Sequence, residues 1–225
     1  MNDKNKPNLL SVDEALDFLL RAAEPVQAVE DALTMDALGR VLAASVISPI
    51  AVPPHDNSAM DGYAVRAADL HPREVTRLQV SQRIAAGSVG EPLQPQTAAR
   101  IFTGAPIPAG ADAVVMQEDT QQKDDIVAIQ RAVSAGQNIR RAGEDIAAGD
   151  AILPAGTRLG PQHIGLASSV GMARLPVYRK LRIATFFTGD ELAMPGEALA
   201  PGQIYNSNRF TLNSLLRTLG FEPID

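Results

Sequence analysis

Pro54-His55-Asp56-Asn57-Ser58-Ala59-Met60-Asp61-Gly62-Tyr63-Ala64-Val65 sets a carboxylate against a glycine immediately before an alternating, strand-like run. Pro53 and Pro54 fix an extended entry and remove two backbone donors. Asn57 and Ser58 can bond their own backbone in a turn, and Gly62 admits conformations closed to other residues. The stretch presents one acid, Asp61, rigidly at the lip of a strand. The residues alone also allow a plain surface turn, the ordinary fate of an Asp-Gly pair.

Beyond Asp61, short apolar or alternating runs recur at Gly62–Val65, Leu78–Ile84, Ala98–Phe102, Ala113–Gln117 and Ile126–Val133, separated by Gly, Pro and Asp124-Asp125 turn residues. Many short strands at that spacing predict a compact, mostly β module. Thr103-Gly104-Ala105-Pro106 closes one strand, where it can bring a hydroxyl and backbone to a ligand or simply turn the chain. Asn138-Ile139-Arg140-Arg141-Ala142-Gly143-Glu144-Asp145 concentrates charge. Arginine forks suit phosphate, and carboxylates that follow suit a divalent cation held against it. A solvated hairpin with compensating charges fits the same residues.

On the amino-terminal side, Ser11-Val12-Asp13-Glu14 reads as a capping box opening a helix to about Ala23. Val12, Ala15, Leu16, Leu19 and Leu20 recur at helical spacing, so that face is expected to pack. Val26 to Met35 reads as extended, and Asp36–Ala43 as a short helix despite Gly39. The proline-rich stretch from Ser45 to Pro54 has the character of a crossing between domains.

On the carboxyl side, Gly-punctuated short strands follow Asp145. Pro161 sits at the first position of a helix that Gly171 closes, and His163 in its first turns is read as packed or surface rather than catalytic. Ala173–Tyr178 reads as a strand and Ile183–Phe187 as a buried parallel strand. Thr188-Gly189-Asp190-Glu191 then forms the loop at that strand's carboxyl end, where open α/β sheets bind ligands. Asn206 or Asn208 caps a further helix ended by Gly220, and Phe221–Asp225 starts another strand. A βαβ unit interrupted there cannot bury both sheet faces, so a truncated domain is expected.

The expected fold is therefore multi-domain α/β: an elongated α/β-roll part from residues 8–49 and 146–178, an inserted mostly-β module over 50–145, and the start of a doubly wound α/β domain over 179–225.

Among 225 residues the hydrophobic share is 45% but aromatics are only 4%, so cores must be built from small aliphatic residues. The absence of cysteine excludes disulfides, thiolate metal sites and a cysteine nucleophile, and fits a reducing compartment, with cytoplasm the expectation. The polar opening Met1–Asn8 and the lack of a long apolar run indicate neither secretion nor a membrane span. A formal net charge of −6 argues against nucleic-acid binding. An anionic small ligand would need local basic residues, present at Arg140 and Arg141.

Asp56–Ala64 resembles the signature of the molybdopterin molybdenumtransferase family, to which the gephyrin E domain is related. Phe102–Pro106, Asn138–Asp145 and Thr188–Leu192 match the family's later motifs in order. The resemblance runs from about Leu10 to the last residue and covers the front half of what the family carries. It implies molybdenum insertion into adenylylated molybdopterin, with molybdate as substrate, Mg²⁺ as cofactor and release of AMP. It also implies an elongated homodimer and a molybdopterin adenylyltransferase partner. Carried over by position, it implies Asp61, Asp145 and Glu191 as catalytic and metal-binding residues, and Thr103, Arg140 and Asp190 as substrate-binding residues. A non-catalytic fragment that dimerises or scaffolds is the alternative.

Overall fold

The computed structural model describes residues 10–224; the opening segment and Asp225, to which some expectations above refer, lie outside the described residues. The fold is α/β, with many short strands and three α-helices among the described residues. It divides into two compact units. One takes the chain through Ala44, Ala155–Ile164 and Ala173 onward, and the other takes Ser45–Pro154 and Gly165–Met172.

The second unit is built on a six-stranded mixed sheet ordered Ala113–Met116, Gly62–Val65, Thr97–Ile101, Thr76–Ile84, Ile126–Ile129, Thr120–Lys123. Only the pairing of Thr76–Ile84 with Thr97–Ile101 is parallel. Because side chains alternate across a strand, Tyr63, Val65, Ala98, Ala113 and Val115 enter one core, and Ala64, Ala99, Ile101 and Val114 enter another. In Thr76–Ile84 a register shift lies between Val80 and Gln82. The extra residue switches the parity, so Leu78 joins the first core while Ile84, six positions on, joins the second.

Gly62–Val65 is buried throughout because it runs between two neighbouring strands with a core on each face. Gly62 is needed there for closeness rather than for turn conformation: a Cβ on it would stand 1.9 Å from the Val115 carbonyl oxygen. The strand expected over Ile126–Val133 ends at Ile129, and Thr120–Lys123 pairs with it as a hairpin partner. That partner is polar, so hydrophobic periodicity gives no sign of it.

In the first unit the capping box forms as expected. The Glu14 N–H donates to Ser11 Oγ and the Ser11 N–H to the Glu14 carboxylate, opening α1, Val12–Ala22. The packing expected of α1 is not found: no residue of it is buried, and Val12 is 83% exposed. Periodicity selects a face but not what covers it.

The helix expected over Asp36–Ala43 is absent as well. A 3-10 turn at Thr34–Asp36 gives way to Gly39 at φ +76°, whose N–H donates to Leu159 O. Val41 and Leu42 then bridge to Arg158 and Val177. Val29–Leu33 pairs antiparallel with Arg174–Tyr178.

Pro161 opens α2, Pro161–Ser169, where His163 Nδ1 accepts the Gly160 N–H and so caps the helix start. Arg182–Ala184 pairs parallel with Glu222–Ile224, as the expected βαβ unit requires, but the run through Phe187 is not buried. Phe186 is 85% exposed, because two strands joined to α3, Ser207–Thr218, supply no second layer among the described residues. Asn206 caps α3 by accepting the Arg209 N–H.

Candidate functional site

Three short segments of the second unit lie side by side around Asp56–Ser58. On one edge the Ser58 N–H donates to Ala105 O, and the Gly104 and Ile107 N–H groups donate to Ser58 O and Asp56 O. On the other edge Asn57 and Ser58 pair antiparallel with Arg140 and Ile139. Each neighbour lies about 4.8 Å away in such pairing, so the Thr103 and Arg140 segments are two such spacings apart. Asn57 Oδ1, on the middle segment opposite Arg140, is buried with no hydrogen-bond partner.

On the Thr103 side, the Thr103 N–H and hydroxyl both donate to Asp61 Oδ1, at 2.8 and 2.7 Å. These bonds favour the ionised form and hold the Asp61 carboxyl below its usual pKa, with the Arg100 charge adding to the effect. Oδ2 takes no hydrogen bond from the described residues. Arg100 braces both flanks of the pair. It donates to Gly62 O at 2.9 Å, and its guanidinium lies 4.6 Å from the Phe102 ring centroid, with Arg83 at 4.4 Å from the same ring.

On the other side, Arg140 Nη2 donates to Asp145 Oδ2. The Asp145 N–H donates to Val52 O and the Gly143 N–H to Pro53 O, which fixes the loop between the two side chains. Asn138, at φ +58°, ties the start of this loop to the sheet through Nδ2 to Val114 O. The Asp145 hydrogen bond, then its charge, holds the Arg140 pKa above its ordinary value.

A further pair was not anticipated. Arg141 Nη1 donates to Asp56 Oδ2 and the Ala142 N–H to Asp56 Oδ1, at a cavity of about 350 Å³ also lined by Asp112 and Gly136. The Ala142 N–H and then Arg141 lower the Asp56 pKa. The partners are 85 residues apart, so no local pattern announces them.

The expected site residues of the second unit thus form two pairs, Asp61 with Thr103 and Arg140 with Asp145, on either side of Asn57-Ser58. Asp190 and Glu191 belong to the first unit. Both are exposed in the loop before Leu192-Ala193, which pairs parallel with Ile204-Tyr205.

Among the described residues no group of three His, Cys, Asp or Glu side chains is placed to hold a metal ion. Mg²⁺ is commonly held by one or two carboxylates with substrate phosphates and water, and Asp61 Oδ2 has the open lone pairs such a role needs. No described helix is long and apolar enough to cross a membrane.

The family model described as the MoeA N-terminal region, domains I and II, matches residues 10–171. Molybdopterin molybdenumtransferase 2 of Mycobacterium tuberculosis is 45% identical over 206 residues, covering 90% of this chain and 50% of the relative. The molybdopterin molybdenumtransferase of Haemophilus influenzae is 41% identical, covering 96% and 54%. The crystal structure of a molybdopterin biosynthesis moeA protein from Pyrococcus horikoshii superposes with a TM-score of 0.84 at 36% identity, covering 96% of this chain and 59% of that one. The chain spans about half the length of the curated relatives it matches.

Proposed function

Since the chain belongs to the MoeA N-terminal family, we propose that it contributes to molybdenum insertion into adenylylated molybdopterin, with release of AMP, in molybdenum cofactor biosynthesis. The supporting observation is the double pairing around Asn57-Ser58: a charge-assisted Arg140–Asp145 pair on one side and an ionised Asp61 fixed by Thr103 on the other.

Arg140 gives Asp145 a bond through Nη2, and its remaining donors are open to a phosphate. It would bind the phosphoanhydride and offset the charge that gathers on the departing AMP. The Thr103 hydroxyl hydrogen is committed to Asp61, so donation to a ligand oxygen would exchange that bond. Its first effect is to keep Asp61 ionised and aimed. When bound, Mg²⁺ would neutralise substrate phosphate charge, with Asp61 and Asp145 as its carboxylates.

Glu191 and Asp190 would serve the same reaction from an α/β domain starting near residue 179, in a chain that also carries an α/β-roll part (8–49 and 146–178) and an inserted β module (50–145). The homodimer and the adenylyltransferase partner belong to this proposal. The bare apolar stripe of α1, Val12, Leu16, Leu19 and Leu20, is the observation that favours dimerisation, and it equally favours the non-catalytic reading.

The 225-residue chain, supplied with adenylylated molybdopterin, molybdate and Mg²⁺, is expected to release little AMP. It holds about half of what its relatives carry, and misplacement of about 1 Å can cost on the order of a hundredfold in rate. Fusing it to the remaining half of the Haemophilus relative should restore release, and Arg140→Ala should abolish it. A fusion indifferent to Arg140→Ala would overturn the reading.

A further inference from the structure

The first unit carries an open cavity of about 500 Å³ lined by the segments at Val26, Gly39–Val41, Arg158, Tyr178–Leu181 and Leu219–Phe221. Its walls carry four cations, Arg40, Arg158, Arg179 and Lys180, and no carboxylate, in a chain where acids outnumber bases by 26 to 20. Arg40 is accounted for: its side chain is 10% exposed, and Nη2 bonds Glu30 and Tyr178 O. Arg158, Arg179 and Lys180 take no ion-pair partner among the described residues.

Tyr178, Phe221 and aliphatic neighbours supply the apolar remainder of the lining. The carboxyl end of α3 borders the cavity with carbonyls of its last turn already occupied. The N–H groups of Leu219, Gly220 and Phe221 turn back onto the carbonyls of Leu215, Arg217 and Leu216.

We propose that this cavity binds a phosphorylated ligand with a planar apolar body, of mononucleotide size, at a site separate from the Arg140 pair. Uncompensated cations give the phosphate its hold, and the two rings give the flat body a stacking face. The volume lies in the range of small-ligand pockets, which combine mostly apolar walls with a few convergent polar groups. Nothing in the reading of the Asp61 and Arg140 site requires these residues.

Calorimetric titration of the 225-residue chain with AMP, and separately with pyrophosphate, tests the assignment. AMP should bind saturably and more tightly than pyrophosphate. The double variant Arg158→Ala/Arg179→Ala removes two exposed side chains and should weaken AMP about tenfold or more, a larger loss than Arg140→Ala causes. The proposal falls if AMP shows no saturable binding, if pyrophosphate binds equally well, or if AMP binding is lost in Arg140→Ala and kept in the double variant. Melting curves of both variants matching the parent establish that either loss is local.

Discussion

Thr103 gives both its backbone N–H and its hydroxyl to a single oxygen of Asp61, at 2.8 and 2.7 Å, across 42 residues of sequence. The acid at the lip of one strand is thereby held by the residue that closes another, and its second oxygen stays open. Thr103→Val removes the hydroxyl bond and leaves the N–H bond, so the Asp61 pKa should rise toward the ordinary carboxylate value while staying below it. A pH titration of the Asp61 side-chain carbon by NMR reads this directly. An unchanged midpoint would mean that the hydroxyl does not set the charge.

Gly62→Ala should destabilise the β module by about 2 kcal/mol or more, because the Cβ has no space beside Val115 O and the strands must part to admit it. Urea denaturation measures the loss. Gly104→Ala meets no atom within 4 Å but has φ +81°, so it should cost less, about 1 kcal/mol of backbone strain.

Asp56 has its pKa lowered by the Ala142 N–H and Arg141. A folded-state pKa below the unfolded one contributes stability that is present in full above about pH 4. That contribution is lost as pH falls through the folded value. Stability measured from pH 6 to pH 2 should therefore fall less steeply in Asp56→Asn than in the parent. Parallel curves would show that the Arg141 contact is too solvated to couple to folding.

Amide exchange should be much faster in α1 than in Thr97–Ile101. The helix has a cap but no buried residue, whereas the strand is paired on both sides within the buried sheet. Ser11→Ala should accelerate α1 exchange further and leave the sheet unchanged.

Much of this architecture was legible because local chemistry and tertiary outcome agree. The Ser11–Glu14 box, Pro161 at a helix start, Asn206 as a cap and the turn glycines at 171 and 220 all act within a few residues. The strands of the β module announced themselves through apolar runs, but their order depends on pairings far apart in sequence. Thr120–Lys123 was illegible because it is polar, and the parity switch near Val80 because a single inserted residue leaves the composition unchanged. Asp36–Ala43 misled because a run of good helix formers outweighed Gly39, whose positive φ and bond to Leu159 decide the local path. The site motifs could be found one by one, whereas the Asp56–Arg141 pair and the Arg100 brace exist only once the sheet has formed.

Arg140 is proposed to receive the phosphate of the substrate through its fork while Asp145 holds that fork in place. Equilibrium binding of adenylylated molybdopterin to the 225-residue chain and to Arg140→Lys tests this most directly, since lysine keeps the charge and the Asp145 contact but cannot grip two oxygens in one plane. Binding by the parent should be saturable, and weakened about tenfold in Arg140→Lys. Equal affinity in the two proteins, or no binding by either, would contradict it.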